Sequence, residues 1–165
     1  MLMRNTSRSI FIIVLVLCAA QAAYYYPLLP DRVASHFGVS GRPDAWEGKG
    51  VFMMIYLGVV AFIAVLFFGM RHLLGRIPSS LINLPNKDFW LSPERRQETL
   101  DLLSQQFHWF GSATLLLLLD IFHQAFRVSV GKAPVLEHPV TSIIVYIAFS
   151  VLWSIGLIAK FMRRP

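Results

Sequence analysis

The residues able to do chemistry fall in two places. His36 and Asp44 lie in a polar segment between two apolar runs, while Asp120, His123, Gln124 and Arg127 lie inside a later apolar run, with Glu137 and His138 just beyond it. Imidazole and carboxylate together suit zinc or a similar divalent ion. The same groups sunk in a bilayer suit a proton-linked relay. His36, Asp120 and His123 are therefore the candidate metal ligands, and a divalent metal is the one cofactor the composition suggests. The spacing matches neither HExxH nor a paired CxxC. Asp120 follows Leu115–Leu119, and steps of three, four and seven put His123, Gln124 and Arg127 near its helix face. A charge at that depth costs at least about 2.5 kcal/mol. Asp120 is thus expected to face the bundle interior, paired with His123, Arg127 or a base from the polar segment. Such a pair could equally serve only to pin helices together. With no nucleophile–base arrangement, no Gly-rich phosphate loop and no GxSxG, no catalytic residue is assigned.

These groups need a scaffold, and composition says which kind. Of 165 residues 56% are hydrophobic and 15% charged, with a mean hydropathy of +0.58. Average soluble domains carry about a quarter charged residues. The apolar excess comes in blocks, which points to an all-α integral membrane protein with four transmembrane helices and a structured extracytoplasmic loop after the first. The net charge of +6 does not indicate nucleic acid. The bases cluster at the ends of apolar runs, where they serve orientation and anionic lipid. Cys18 sits alone in an apolar run and forms no disulfide framework.

In chain order, the first span covers about 9–25. Its basic start and Ala20-Gln21-Ala22 ending also describe a secretory signal peptide; the run Tyr24–Tyr26 completes a full span with an interfacial belt and favours an uncleaved one. The cap, 26–49, holds Tyr26, with Tyr24 and Tyr25 at its edge, three prolines and mixed charge. Leu29-Pro30-Asp31-Arg32 reads as a helix start. Leu29, Val33 and Phe37 recur every fourth residue, predicting a short amphipathic helix at the headgroups that stops at Gly38, with Trp46 as an interface anchor. The second span, 51–70, has no charge. Gly58 and Gly69 are the positions where a neighbour could approach closely.

The connector and helix stub, 71–106, are too apolar to be a flexible linker. Leu81, Ile82, Leu84, Phe89 and Trp90 predict packing along the membrane surface, and Ser92-Pro93-Glu94 predicts a helix start. That helix runs to about Val128, roughly 35 residues or 50 Å, with Gly111 tolerated inside it. Its embedded part, 107–127, is the third span. A fourth covers 140–161, with Ser150, Ser154 and Gly156 as small residues for close packing. His72 and His108 fall near span ends, where snorkelling polar groups are ordinary, and receive no role.

Lys and Arg set the orientation. The N-terminal tail (Arg4, Arg8), the connector and the C-terminal end carry ten of them, against five on the other side. The bias puts both termini in the cytoplasm and the cap outside.

The segment LPDRVASHFGVSGRPDAWEGKG resembles the signature of an uncharacterised bacterial membrane family, through Leu29-Pro30, His36-Phe37, Gly41, Pro43-Asp44 and Lys49. The same module is similar to the N-terminal part of SdpI-type immunity proteins, although the expected spans leave no counterpart for their additional C-terminal ones. The later segment NLPNKDFWLSPERRQETL resembles a connector of shorter family members. The resemblance implies a bacterial inner-membrane protein with an immunity-like, accessory or sensing role, not an enzyme. Its cap would bind a peptide, a lipid or a partner subunit through His36, Phe37, Asp44, Trp46 and Lys49, with Asp120, His123 and Arg127 beneath. The competing class is a small metal- or proton-linked membrane enzyme or transporter subunit using Asp120, His123 and His36. Partners expected on either reading are the bilayer and other membrane subunits or further copies of the chain.

Overall fold

The computed structural model describes residues 2–163, with side chains from residue 6; Arg164 and the side chain of Arg4, both counted in the charge asymmetry, lie outside the described residues. Helix α1 (Leu2–Tyr25) ends where Pro27 enters a single 3-10 turn. Strands β1 (Arg32–Phe37) and β2 (Pro43–Gly48) form an antiparallel hairpin. Helix α2 (Lys49–Arg76) follows β2 directly and stops at Ile77, ahead of Pro78. The connector holds a 3-10 turn and the one-turn helix α3 (Lys87–Trp90). Helices α4 (Arg96–Ser129) and α5 (Pro139–Met162) complete the order. Among the described residues four helices are long and apolar enough to cross a membrane: Thr6–Leu28, Lys49–Arg76, Arg96–Ser129 and Pro139–Met162.

The hairpin corrects the expected amphipathic helix at 29–37. A period of four fits both a helix stripe and one face of a strand, so Leu29, Val33 and Phe37 could not tell the two apart. Turn chemistry decides. Gly41 sits at φ +74°, where a side chain is strained, and the turn closes by Gly38 N–H to Arg42 O at 2.9 Å and Gly41 N–H to Gly38 O at 2.8 Å. Pro43 begins the exposed strand, a position that tolerates its missing donor. Register shifts on either side of His36 bend β1. The chain is thus helical with a two-stranded hairpin rather than all-α.

Helix α4 is the axis. It packs against α1, α2, β1 and α5. On α1 the buried residues Phe11, Val14, Cys18, Ala22 and Tyr25 recur at three and four; on α2 Met53, Tyr56, Val60, Ile63 and Phe67 do the same. These two seams close on Leu115, Ala125 and Phe126 of α4. Gly111 permits the closest approach: a Cβ there would lie 2.8 Å from both Phe11 and Phe67. Gly58, Gly69 and Gly156, by contrast, have nothing within 4 Å, and Ser154 is exposed. Gly58, Gly69, Ser154 and Gly156 therefore face outward, Ser150 is half-buried, and Gly111 supplies the close contact.

Away from the hairpin, the connector ties three helix ends together. Arg96 donates to the carbonyls of Leu74, Gly75 and Ile77 at the end of α2. Asn86 Nδ2 and Trp90 Nε1 both donate to Phe161 O at the end of α5, at 3.1 and 2.9 Å. Helix C-terminal carbonyls lack intrahelical partners, so these donors complete them. Arg71 on α2 pairs with Asp101 on α4. The turn Ser92–Arg95 leads into α4, with Arg96 N–H bonding Ser92 O at 2.9 Å.

Candidate functional site

The hairpin sits over an aromatic floor. Tyr25 stacks on Phe126 with ring centroids 4.8 Å apart, and Tyr56 meets Phe122 at 4.4 Å. Val33 and Ala34 of β1 are fully buried against this end of the bundle. Two polar contacts fix the orientation: Ala34 N–H donates to Ser129 Oγ at 3.2 Å, and Leu136 N–H donates to Gly41 O at 2.9 Å. Lys49 N–H donates to Asp31 O at 3.0 Å, closing the base of the hairpin. β2 faces outward, exposed from Asp44 through Gly48.

On the outer surface His36 Nδ1 and Asp44 Oδ1 pair across the two strands, both largely exposed. Arg32 Nη2 donates to Trp46 O at 2.9 Å, and the Trp46 ring is exposed. Lys49 Nζ lies 3.8 Å from Asp31 Oδ1 and over the Tyr26 ring. Phe37 is partly buried against the core. Val39 at the tip is fully exposed.

The polar residues of α4 do not act as one cluster. Asp120 faces α5 rather than the α1–α2 interior: its Oδ2 accepts from Gln124 Nε2 at 2.8 Å and from Ser142 Oγ at 2.6 Å, and His138 Nε2 lies 3.8 Å from Oδ1. His123 turns the other way and shares a 3.3 Å hydrogen bond with the Tyr25 hydroxyl. Arg127 pairs with Glu137 at 2.7 Å. Steps of three, four and seven share a broad face, but that face spans both the α1 and the α5 contacts of a helix with neighbours on several sides. His36, Asp120 and His123 thus have separate partners, and the described residues contain no group of three His, Cys, Asp or Glu placed to hold a metal ion.

Two residues escaped the sequence reading. Gln21 accepts from Tyr56 OH at 2.8 Å and donates to Leu119 O at 2.9 Å, so one amide bridges α1, α2 and α4. A lone glutamine in a 14-residue apolar stretch was the available signal. His108 is buried between Phe11 and Phe68, and neither ring nitrogen has a hydrogen-bond partner among the described residues. It is a packed ring, not a snorkelling one.

The fold and site together define a chain compatible with a multi-pass membrane protein, whose first two long helices are joined by a docked hairpin. Residues 13–59 match the family described as a domain of unknown function, DUF1648. No curated protein and no solved structure matches the chain. The matched stretch runs from the middle of α1 through the hairpin into α2 and so contains Gln21, Tyr25, Val33 and Tyr56; α4 and α5 lie beyond it.

Proposed function

We propose that this chain is a non-enzymatic integral membrane protein, an immunity-like or accessory sensing component whose hairpin binds a peptide, a lipid or a partner subunit. On this reading it lies in a bacterial inner membrane with both termini in the cytoplasm, so that the hairpin and the 130–138 loop face outward. The observation that carries the reading is the asymmetry of the hairpin: β1 is anchored on the bundle, while β2 is exposed from Asp44 through Gly48. A rigid base beneath an exposed strand lowers the ordering cost of binding. The match over 13–59 supports treating α1, hairpin and α2 as one module. The alternative, a metal- or proton-linked enzyme or transporter subunit, draws no support from His36, Asp120 and His123, whose partners differ.

Photo-crosslinking residues at Val39 and Trp46, compared in whole cells with one at lipid-facing Leu152, test the reading. Adducts specific to the hairpin positions, weakened by Asp44→Ala at unchanged protein level, are expected. Hairpin positions giving nothing beyond the adducts at Leu152 would refute it.

A further inference from the structure

Helix α5 is held from one side, by α4 and the connector. It packs on α4, and none of the residues in its most apolar 18-residue window is buried. Its polar fixings include Ser142 to Asp120, Tyr146 to Thr114 at 2.8 Å, and the Phe161 carbonyl to the connector, while Tyr146, Phe149 and Trp153 pack on Phe110. Between these fixings α4 and α5 leave a groove of about 690 Å³ that runs from Gln106 to Asp120 on α4 and from Thr141 to Trp153 on α5. Small-ligand sites commonly measure about 300–1,000 Å³. The fourteen helical steps from Gln106 to Asp120 give the groove a length of about 20 Å, enough for one extended acyl chain.

The walls are apolar and aromatic, with Trp109, Tyr146, Phe149 and Trp153 along them. The two ends differ. At the hairpin end stands Asp120, with a side chain 38% exposed. Gln124 and Ser142 occupy Oδ2, but among the described residues Oδ1 has only the His138 imidazole at 3.8 Å, beyond hydrogen-bond length. A carboxylate accepts about four hydrogen bonds, so Asp120 retains capacity on its free oxygen. The base Arg127, two turns further along the helix, is paired with Glu137. A zwitterionic phospholipid would place its phosphate deeper than its amine, against the acid, and fits poorly. A chain ending directly in an amine fits well, because its cation would meet the carboxylate while the chain lay along the aromatic wall.

We infer that the α4–α5 groove is a lateral binding site for a single-chain amphiphile with a terminal ammonium group, held by Asp120. This site is independent of the hairpin reading. Its test uses the full chain in nanodiscs of neutral phospholipid, with Trp46→Phe and Trp90→Phe so that emission comes from Trp109 and Trp153. Added brominated long-chain alkylamine should quench that emission saturably, at a tenfold or lower mole fraction than the chain-matched brominated fatty acid. Asp120→Asn should abolish the preference for amine. Ala113→Phe or Val145→Phe, filling the groove from either wall, should remove the saturable component. Equal quenching by amine and acid, an unchanged preference in Asp120→Asn, or no quenching because a second copy covers the groove would each overturn the inference.

Discussion

The Tyr56 hydroxyl donates to Gln21 Oε1 across 2.8 Å, and the same glutamine donates to Leu119 O, so one amide joins three long helices. Hydrogen bonds between helices in lipid average about 0.6 kcal/mol and reach about 1.7 kcal/mol. Tyr56→Phe should cost the lower amount, because Gln21 keeps its bond to Leu119 O and the second Tyr56 contact, to Cys18 O, is long at 3.3 Å. Gln21→Leu should cost more, because it deletes both glutamine bonds and leaves the Tyr56 hydroxyl only its 3.3 Å contact with Cys18 O. Unfolding in mixed micelles, run as a double-mutant cycle, should show coupling between the two positions. Additive losses would mean that the bond contributes nothing.

At Gly111 the rings of Phe11 and Phe67 lie against bare backbone. Gly111→Ala should destabilise by about 1–3 kcal/mol, the usual cost of overpacking, while Gly58→Ala, which meets open space, should be neutral or slightly stabilising. Thermal melts of the two variants side by side check this.

Gly41 carries two constraints: φ +74°, and a would-be Cβ 3.1 Å from Leu136 O. Gly41→Ala should cost on the order of 1–2 kcal/mol from the left-handed backbone alone. It should also loosen the hairpin from the 130–138 loop, read as faster hydrogen exchange at the Leu136 amide. Unchanged protection there would contradict the docking contact.

Glu94 gives a pH dependence. The hydrogen bond from its own backbone N–H, then the Ser92 hydroxyl and the Arg95 charge, hold its carboxyl below the usual glutamate range. A lowered folded-state pKa stabilises above the unfolded pKa, and that contribution is lost as pH falls through the folded value. The start of α4 should therefore fray at acid pH in the native chain and show less pH dependence in Glu94→Gln, measured by exchange at the Arg96–Thr99 amides.

The helices were legible because a long charge-free run such as Val51–Met70 admits little else. What was hidden was which side faces inward. In lipid both faces of a span are apolar, so the seam through Met53, Tyr56 and Val60 leaves no contrast with exposed Met54, Ile55 and Phe62. For the same reason Gly111 and Gly58 look alike in sequence. Leu29, Val33 and Phe37 were identified as one face, but their spacing suits helix and strand equally, and the left-handed Gly41 that settles the matter shows only in the backbone. Asp120 was singled out because an acid among leucines is costly; its partner, Ser142, lies on a helix that local spacing could not orient.

The proposed orientation puts the hairpin on the extracytoplasmic side and the connector in the cytoplasm. Cys18 is buried and is the chain's one cysteine, so Val39→Cys and Leu81→Cys, both at exposed positions, report without further engineering. A membrane-impermeant maleimide on intact cells should label Val39→Cys at once and Leu81→Cys only after the membrane is opened. Labelling of Leu81→Cys in intact cells, with Val39→Cys protected until lysis, would contradict the account.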